Sequence, residues 1–261
     1  MKLIDVHAHL YLVEGRGEED KWRLEFSKKY GISVIIVSVL GSWGKRTPTY
    51  FPDPEDFSSG NRKLWKFIKS HEASPKIYGY AAVNQIFTRE AIEEIKKGIE
   101  VYGFVGVKLV APVPCSDLST FPIVEKAIEY NVPILIHTFH KKPQKLWGQN
   151  PSDSSDIAKL AEMYPEAKII MAHIGGGGDW EYALKAIKDN DNAFLDTSGS
   201  GCDRGMIEKA VRIVGENRIL FATDLNITTG IAKFSEARLS DAQREKIAWG
   251  NAKSIFGGVE F

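Results

Sequence analysis

Strands and helices alternate along this 261-residue chain, and this regular alternation constrains the fold more than any other feature of the sequence. Eight short apolar runs are separated by segments with helical spacing, and a helix follows the eighth run. The run Ile32–Leu40 is rich in β-branched residues and does not alternate between polar and apolar, which is typical of a strand buried on both faces of a parallel sheet. Eight such units in about this length predict a closed (β/α)8 TIM barrel. An open doubly wound sheet is the alternative, but it gives no reason for polar residues at the ends of both the first and the last strand.

The local pattern also predicts the position of each element. The segment 11–20 is predicted to be a loop and 41–59 a long irregular connection, with Thr88 and Ser240 as helix N-caps. The predicted strands are 3–9, 32–40, 76–83, 104–110, 132–138, 167–173, 193–197 and 218–224, and the predicted helices are 21–30, 61–72, 89–103, 121–131, 155–164, 179–190, 203–215 and 240–255.

Composition places the chain among soluble globular proteins and excludes several other classes. Hydrophobic residues make up 43% and charged residues 26%, and no linker divides the chain, so we expect one domain over residues 1–261. Basic and acidic residues number 34 each, which argues against a surface dedicated to nucleic acid. A signal peptide and an apolar run of about 20 residues are both missing, so we expect a cytoplasmic protein that does not bind membranes. The expected partner is a small-molecule substrate. The composition is compatible with both a monomer and a homo-oligomer.

Polar side chains end several of the apolar runs, and in a parallel barrel these strand ends meet at one face. His7 and His9 are two residues apart at the end of the first strand, so their side chains point the same way. His137, His173 and Asp224 end the fifth, sixth and eighth runs. Barrel closure would bring residues near 8 and 224 together. Imidazole and carboxylate are ligands that divalent metals prefer, whereas a single polar residue at a strand end is more often structural.

Six short motifs occur in this order along the chain: Asp5-Val6-His7-Ala8-His9, Gly106-Val107-Lys108-Leu109, Ile136-His137-Thr138, Ala172-His173-Ile174-Gly175-Gly176, Ala222-Thr223-Asp224 and Gly250-Asn251-Ala252-Lys253-Ser254-Ile255-Phe256. In these motifs the sequence resembles the amidohydrolase superfamily, and within it the amidohydrolase-2 branch of metal-dependent hydrolases, which includes related decarboxylases. The resemblance implies that one divalent ion is held by His7, His9, His137 and Asp224, and zinc is the first candidate. Mn2+, Fe2+ or a second ion are alternatives. It also implies that His173 is a catalytic residue but not a metal ligand, and that Asp224 moves a proton as well as binding or bordering the metal-bound water.

Three further candidates keep two interpretations each. Lys108 is either a carboxylated bridge between two metals or a charge that contacts substrate or structure. Gly175 and Gly176 precede a helix, so their backbone N–H groups could receive a substrate carboxylate, or the glycines could simply permit a tight turn.

The leading functional hypothesis is a metal-dependent hydrolase of a small molecule, which uses a metal-activated water to cleave a C–N or C–O bond. The alternative is a non-hydrolytic decarboxylase of a carboxylated substrate, aromatic ones included. Decarboxylases of this branch tend to be longer, so the compact chain favours hydrolysis. A barrel that binds metal or ligand without turnover is a third hypothesis.

Overall fold

The computed structural model describes residues 2–39, 54–110, 112–140, 150–176, 179–257 and 259–261. Within them, eight strands pair in parallel in the order β1 to β8, so each strand lies beside the next in the sequence. The strands are β1 (Leu3–Leu10), β2 (Ile32–Val39), β3 (Lys76–Val83), β4 (Gly106–Leu109), β5 (Ile134–Ile136), β6 (Ile169–Met171), β7 (Ala193–Asp196) and β8 (Ile219–Leu220).

Backbone hydrogen bonds between β1 and the segment after β8 close the sheet. The N–H of Val6 donates to the carbonyl oxygen of Phe221 at 3.1 Å, and the N–H of Asp224 donates to that of His7 at 2.7 Å. Ala8 and Asp224 form a parallel bridge at the same seam. These contacts confirm the predicted (β/α)8 TIM barrel and the predicted proximity of residues near 8 and 224.

Two apolar layers explain why the strands do not alternate in sequence. One layer fills the barrel and takes one residue in two from a strand, such as Val34 and Ile36 of β2. The alternate residues of the same strand, Ile35 and Val37, belong to a second layer that packs against the surrounding helices. Both faces of each strand are therefore buried, as expected of an all-parallel sheet.

Most of the helices overlap predicted ones, but several begin at another residue and one was not predicted. They are α1 (Gly17–Lys29), α2 (Pro54–Ser70), α3 (Thr88–Glu100), α4 (Phe121–Glu129), α5 (Ser154–Met163), α6 (Trp180–Ile187), α7 (Met206–Val214), α8 (Ile227–Glu236), α9 (Asp241–Glu245) and α10 (Asn251–Ile255). None of the helices in the described part of the chain is long and apolar enough to span a membrane.

The predicted loop 11–20 and the predicted connection 41–59 were both too long. Helix α1 begins earlier than predicted, at Gly17. Three acidic residues lie in its first turn, and carboxylates stabilise the positive end of a helix. The other helix, α2, already begins at Pro54, and residues 40–53 lie outside the described part. Thr88 is not an N-cap; it is the first residue of α3, and its hydroxyl donates to the carbonyl of Gln85 in the preceding 3-10 turn.

One helix was missed entirely. The sequence of α8 contains Thr-Thr-Gly, which has low helix propensity, so no helix was predicted there. Its first turn is stabilised by Asn226, whose side chain accepts a hydrogen bond from the N–H of Thr229. The predicted capping box of Ser240 and Gln243 is present, but a π-helical turn at 246–250 separates α9 from α10.

Candidate functional site

Three side chains from the β1–β8 seam converge at the carboxyl end of the barrel. The Nε2 atoms of His7 and His9 are 3.2 Å apart. Asp224 places its Oδ1 3.1 Å from Nε2 of His9 and 3.7 Å from Nε2 of His7. The two histidines are buried, and the Asp224 side chain is 23% exposed. Their potential ligand atoms all lie within 4.8 Å of one another, so this group could hold a metal ion.

The hydrogen bonds behind the two imidazoles fit a bound cation. Nδ1 of His7 lies 2.8 Å from Oδ2 of Asp196, and Nδ1 of His9 lies 3.1 Å from the carbonyl oxygen of Ser38. Carboxylate and carbonyl oxygens only accept, so each Nδ1 carries the proton and each Nε2 presents a lone pair. Two lone pairs and a carboxylate oxygen that face one another at these distances repel unless a positive charge lies among them. The donor set therefore suits a divalent metal.

Burial keeps the two histidines in the neutral form that a metal requires. It disfavours the charged imidazolium and, together with the charge of Lys108, lowers the pKa of His7 to about 3. Burial also lowers the pKa of His9, although Asp224 opposes the shift.

Asp196, at the end of β7, orients His7 and was missed by the sequence analysis. Its Oδ1 accepts hydrogen bonds from the N–H groups of His173 and Ser198 at 2.9 and 3.0 Å, while Oδ2 faces His7. Burial alone would raise the pKa of Asp196, but its electrostatic interaction and hydrogen bond with His7 outweigh burial and lower the pKa to about 2. The available signal was an apolar run that ends in an acid, Ala-Phe-Leu-Asp, similar to the run that ends at Asp224.

His173 lies against the three-residue group and contacts Asp224. Its ring stacks on that of His7 at 5.1 Å between centroids, and its Nε2 is 3.4 Å from Oδ2 of Asp224. Nδ1 lies 3.1 Å from the carbonyl oxygen of Thr138. Burial disfavours its charged form, but the hydrogen bond and negative charge of Asp224 outweigh burial and raise the pKa of His173. The backbone of His173 is left-handed, with φ of 63°, which turns the side chain inward.

His137 is close to His7, His9 and Asp224 but is not one of the three residues whose potential ligand atoms lie within 4.8 Å of one another. Its ring meets that of His173 edge-on, 4.7 Å between centroids, and burial lowers its pKa well below the usual value. Among the described residues, the ligand atoms within 4.8 Å of one another are those of His7, His9 and Asp224 alone. The structure thus brings His137 to the same pocket, and its role as a fourth ligand stays a prediction.

Lys108 of β4 points at the same centre. Its Nζ lies 3.3 Å from Nε2 of His7, and burial lowers its pKa to about 8. The ammonium group is buried and faces the carboxylates of Asp196 and Asp224, which favour its charge. Lys108 thus lies beside the candidate metal centre, whereas its contact with substrate and its carboxylation both stay predictions.

Gly175 and Gly176 form a tight turn directly after His173. Both have positive φ, 90° and 63°, and the N–H of Gly176 donates to the carbonyl of His173 at 2.8 Å. A Cβ on Gly175 would overlap that of Ala183. These contacts support the turn interpretation, because that N–H group already has an acceptor.

A cavity of about 310 Å³ opens beside His137, His173 and Asp224. Its volume lies at the small end of the range for ligand sites. The apolar part of the wall comes from Phe139, Ile174, Trp180 and Met206, and the polar part from Ser198, Asn226 and the three residues already named. The indole N–H of Trp180 donates to Asp203 at 2.6 Å, which fixes the plane of this wall.

The fold and this group of side chains define a class: a (β/α)8 barrel with a candidate divalent-metal centre at the carboxyl end of its strands. The chain matches the family model described as Amidohydrolase over residues 4–258 and belongs to that family. This confirms the resemblance noted in the sequence.

Several of the individual proteins to which this chain is similar are named as decarboxylases. The chain is 26% identical to gamma-resorcylate decarboxylase of Polaromonas sp. strain JS666 over a 285-residue alignment, which covers 90% of this chain and 86% of that protein. Its fold is similar to that of 2,6-dihydroxybenzoate decarboxylase from Rhizobium, with a TM-score of 0.73, 19% identity and 98% of both chains covered. It is also similar to dihydroxybenzoic acid decarboxylase from Polaromonas sp. JS666 with bound manganese and 2-nitroresorcinol, with a TM-score of 0.73, 20% identity and coverage of 98% and 96%.

Proposed function

We propose that this protein is a metal-dependent, non-hydrolytic decarboxylase of a small carboxylated aromatic compound. The sequence relative named as a decarboxylase supports decarboxylation, the alternative of the sequence analysis, over hydrolysis. Membership of the amidohydrolase family supports an enzyme over a barrel that only binds. Hydrolysis of a C–N or C–O bond stays the second candidate, since the family description favours it.

His7, His9, His137 and Asp224 would hold one divalent ion. Their donor atoms are nitrogen and oxygen, a set that suits Zn2+, Mn2+ and Fe2+ alike. Manganese is the metal named in one of the similar structures, so Mn2+ replaces zinc as the first metal to test. When bound, the ion supplies a Lewis acid that holds an anionic substrate and draws electron density from it.

The contact between His173 and Asp224 is the observation that carries the proposal. Nδ1 of His173 faces a carbonyl oxygen and keeps its proton, and Nε2 lies 3.4 Å from Oδ2 of Asp224. A second proton on Nε2 would make an imidazolium that donates to this carboxylate. In the proposed reaction this proton moves to the ring carbon that bears the carboxylate. The carbon–carbon bond then breaks, its electron pair restores the aromatic ring, and CO2 leaves. Asp224 would thus contact the metal through Oδ1 and the proton through Oδ2.

The shape and lining of the pocket fit a flat aromatic substrate that carries one negative charge. Phe139 and Trp180 form apolar walls that suit an aromatic ring. At about 310 Å³ the cavity has room for one substituted ring and little more. Lys108, buried beside His7, would balance the negative charge of the substrate carboxylate.

Turnover of purified protein loaded with Mn2+ tests the proposal. We expect CO2 release from 2,6-dihydroxybenzoate or a related hydroxybenzoate, and no hydrolysis of esters, lactones or amides. The variant His173→Asn should retain Mn2+ and lose about 10²–10⁴-fold in rate, since it removes the proton donor. His71→Asn is the matched control, because His71 lies at the end of α2 and contacts the carbonyl of Pro75.

Ester or amide hydrolysis without CO2 release would instead establish the hydrolase. A loss of Mn2+ from His173→Asn would show that His173 is a ligand and not the proton donor. Absence of Mn2+, Zn2+ and Fe2+ binding by the wild type would contradict both enzyme hypotheses.

A further inference from the structure

The backbone of Asp224 is held in an unusual conformation by contacts on both sides. Its φ is 54°, in the left-handed region that residues other than glycine rarely adopt. Its N–H donates to the carbonyl of His7, and its own carbonyl oxygen accepts from Nη1 of Arg23. Both backbone polar groups of the residue are therefore fixed, one from β1 and one from α1.

Asp5 connects the two segments that carry the candidate ligands. Oδ1 of Asp5 accepts from the N–H of His7 at 3.2 Å and from the N–H of Thr223 at 3.0 Å. Oδ2 accepts from the hydroxyl of Thr223 at 2.5 Å. The carboxylate is fully buried and lies at the β1–β8 seam, where it takes the place of a backbone acceptor. Asp5 thus joins the segments that carry His7 and Asp224, in addition to the backbone hydrogen bond between these two residues.

Arg23 completes the network from outside the barrel. Nη2 donates to Oδ2 of Asp5 at 3.1 Å and to the Thr223 hydroxyl at 2.6 Å, while Nη1 donates to Asp224. Arg23 is only 4% exposed, so its charge balances that of the buried Asp5. Three acceptors on two chain segments match the planar guanidinium, whereas a lysine ammonium would match the charge but not the geometry.

We propose that Arg23 is a positioning residue of the candidate metal centre. It sets the direction of the Asp224 carboxylate through the Asp224 carbonyl and through Asp5. Its guanidinium donates to the Asp224 carbonyl, to Asp5 and to Thr223, and these acceptors are not potential ligand atoms. The inference rests on the metal centre of the proposed function, and its test measures metal binding instead of turnover.

The experiment compares three variants of the full chain. Arg23→Lys keeps the positive charge but loses the planar guanidinium, and Arg23→Met removes both. Arg218→Met is the matched control, since the half-buried Arg218 also donates to backbone carbonyls. Its acceptors, Ile187 and Asn190, lie in the chain before β8, whereas Asp224 follows β8. The Kd for Mn2+ is measured by competition with a chelator, the site geometry by the visible spectrum of bound Co2+, and folding by circular dichroism and Tm of the metal-free protein.

We expect Arg23→Lys to fold, to bind Mn2+ about 10–100-fold more weakly and to change the Co2+ spectrum, as is typical of residues that orient metal ligands. Arg218→Met should lower Tm and leave the Kd and the spectrum unchanged. If Arg23→Met fails to fold, Arg23→Lys still decides the question.

Wild-type Kd and spectrum in Arg23→Lys would overturn the inference, as would an equal loss of affinity in Arg218→Met. A wild type that does not bind Mn2+ or Co2+ would overturn both the metal centre and this role. A wild type that binds Mn2+ but releases no CO2 would contradict the decarboxylase alone and leave the result for Arg23 standing.

Discussion

Replacement of Asp196 by asparagine should weaken metal binding through the tautomer of His7. The carboxylate serves two sets of donors: the N–H groups of His173 and Ser198 on Oδ1, and Nδ1–H of His7 on Oδ2. An asparagine has one carbonyl oxygen and one NH2 group, so it satisfies only one of the two sets.

The energies decide which set keeps its acceptor. If the NH2 group turned toward His173 and Ser198, two buried N–H groups would lose their acceptor, at a cost of about 2–6 kcal/mol in total. If it turns toward His7, the imidazole moves its proton to Nε2 and donates it to Nε2 of His9, 3.2 Å away. The metal-free variant therefore adopts the second arrangement, whose cost is smaller: Nζ of Lys108 loses Nε2 of His7 as an acceptor, at about 1 kcal/mol. That arrangement puts a proton where His7 would bind the metal.

Metal binding must then reverse this arrangement, at a net cost of about 1 kcal/mol or more. At 1.4 kcal/mol for each factor of ten, this cost weakens Mn2+ binding about 5-fold or more. The Tm of the metal-free protein should change little. The assay is chelator competition for Mn2+ beside thermal unfolding of the metal-free protein. Glu94→Gln is the control, because Glu94 is a buried carboxylate that accepts from Asn61 in the helical layer.

Two results would refute this reasoning. One is an Asp196→Asn variant that binds Mn2+ as the wild type does, which would show that the Nδ1 partner does not select the tautomer. The other is an equal loss of affinity in Glu94→Gln, which would show that the effect is general destabilisation.

Three further predictions concern the surroundings of the site. Lys233→Met removes the buried ammonium that donates to the carbonyls of Ser198 and Gly199 at 2.8 Å, and it should lower the free energy of unfolding by about 1–3 kcal/mol in urea titrations. Metal analysis should find one equivalent of Mn2+ per chain in the wild type and in Lys108→Met; a second equivalent that is lost in the variant would establish a bridging lysine. Gly176→Ala should destabilise the protein by more than about 1 kcal/mol, because φ is 63° and the new Cβ would meet the facing loop; unchanged urea unfolding would contradict this.

The barrel was predictable because its signal is repeated eight times, so an error in one element does not change the count. The candidate site was predictable in part for the same reason: His7, His9, His173 and Asp224 each end an apolar run, and parallel strands end at one face. The boundaries of α1, α2 and α8 depend on packing and capping, and propensity alone did not identify them.

The supporting residues were not predictable, since their partners are distant in sequence. Asp196 is 189 residues from His7, and Arg23 is 201 residues from Asp224. Arg23 lies among acidic and basic neighbours in α1, a pattern that indicates a solvated helix face. Nothing in the local sequence distinguishes it from an exposed arginine; its burial follows only from barrel closure.

The choice between hydrolysis and decarboxylation depends on the direction in which one proton moves. Hydrolysis begins with removal of a proton from water, so the His173–Asp224 pair would have to start without the second proton on His173. Decarboxylation begins with delivery of a proton to carbon, so the pair must start with it. Thr138 offers His173 a carbonyl that only accepts, and Asp224 offers the other nitrogen a carboxylate. Two acceptors around one imidazole favour the protonated pair in the metal-free protein, where the hydrogen bond and charge of Asp224 outweigh burial and raise the pKa of His173. This geometry supports the proposed decarboxylation, in which the pair gives a proton, over hydrolysis.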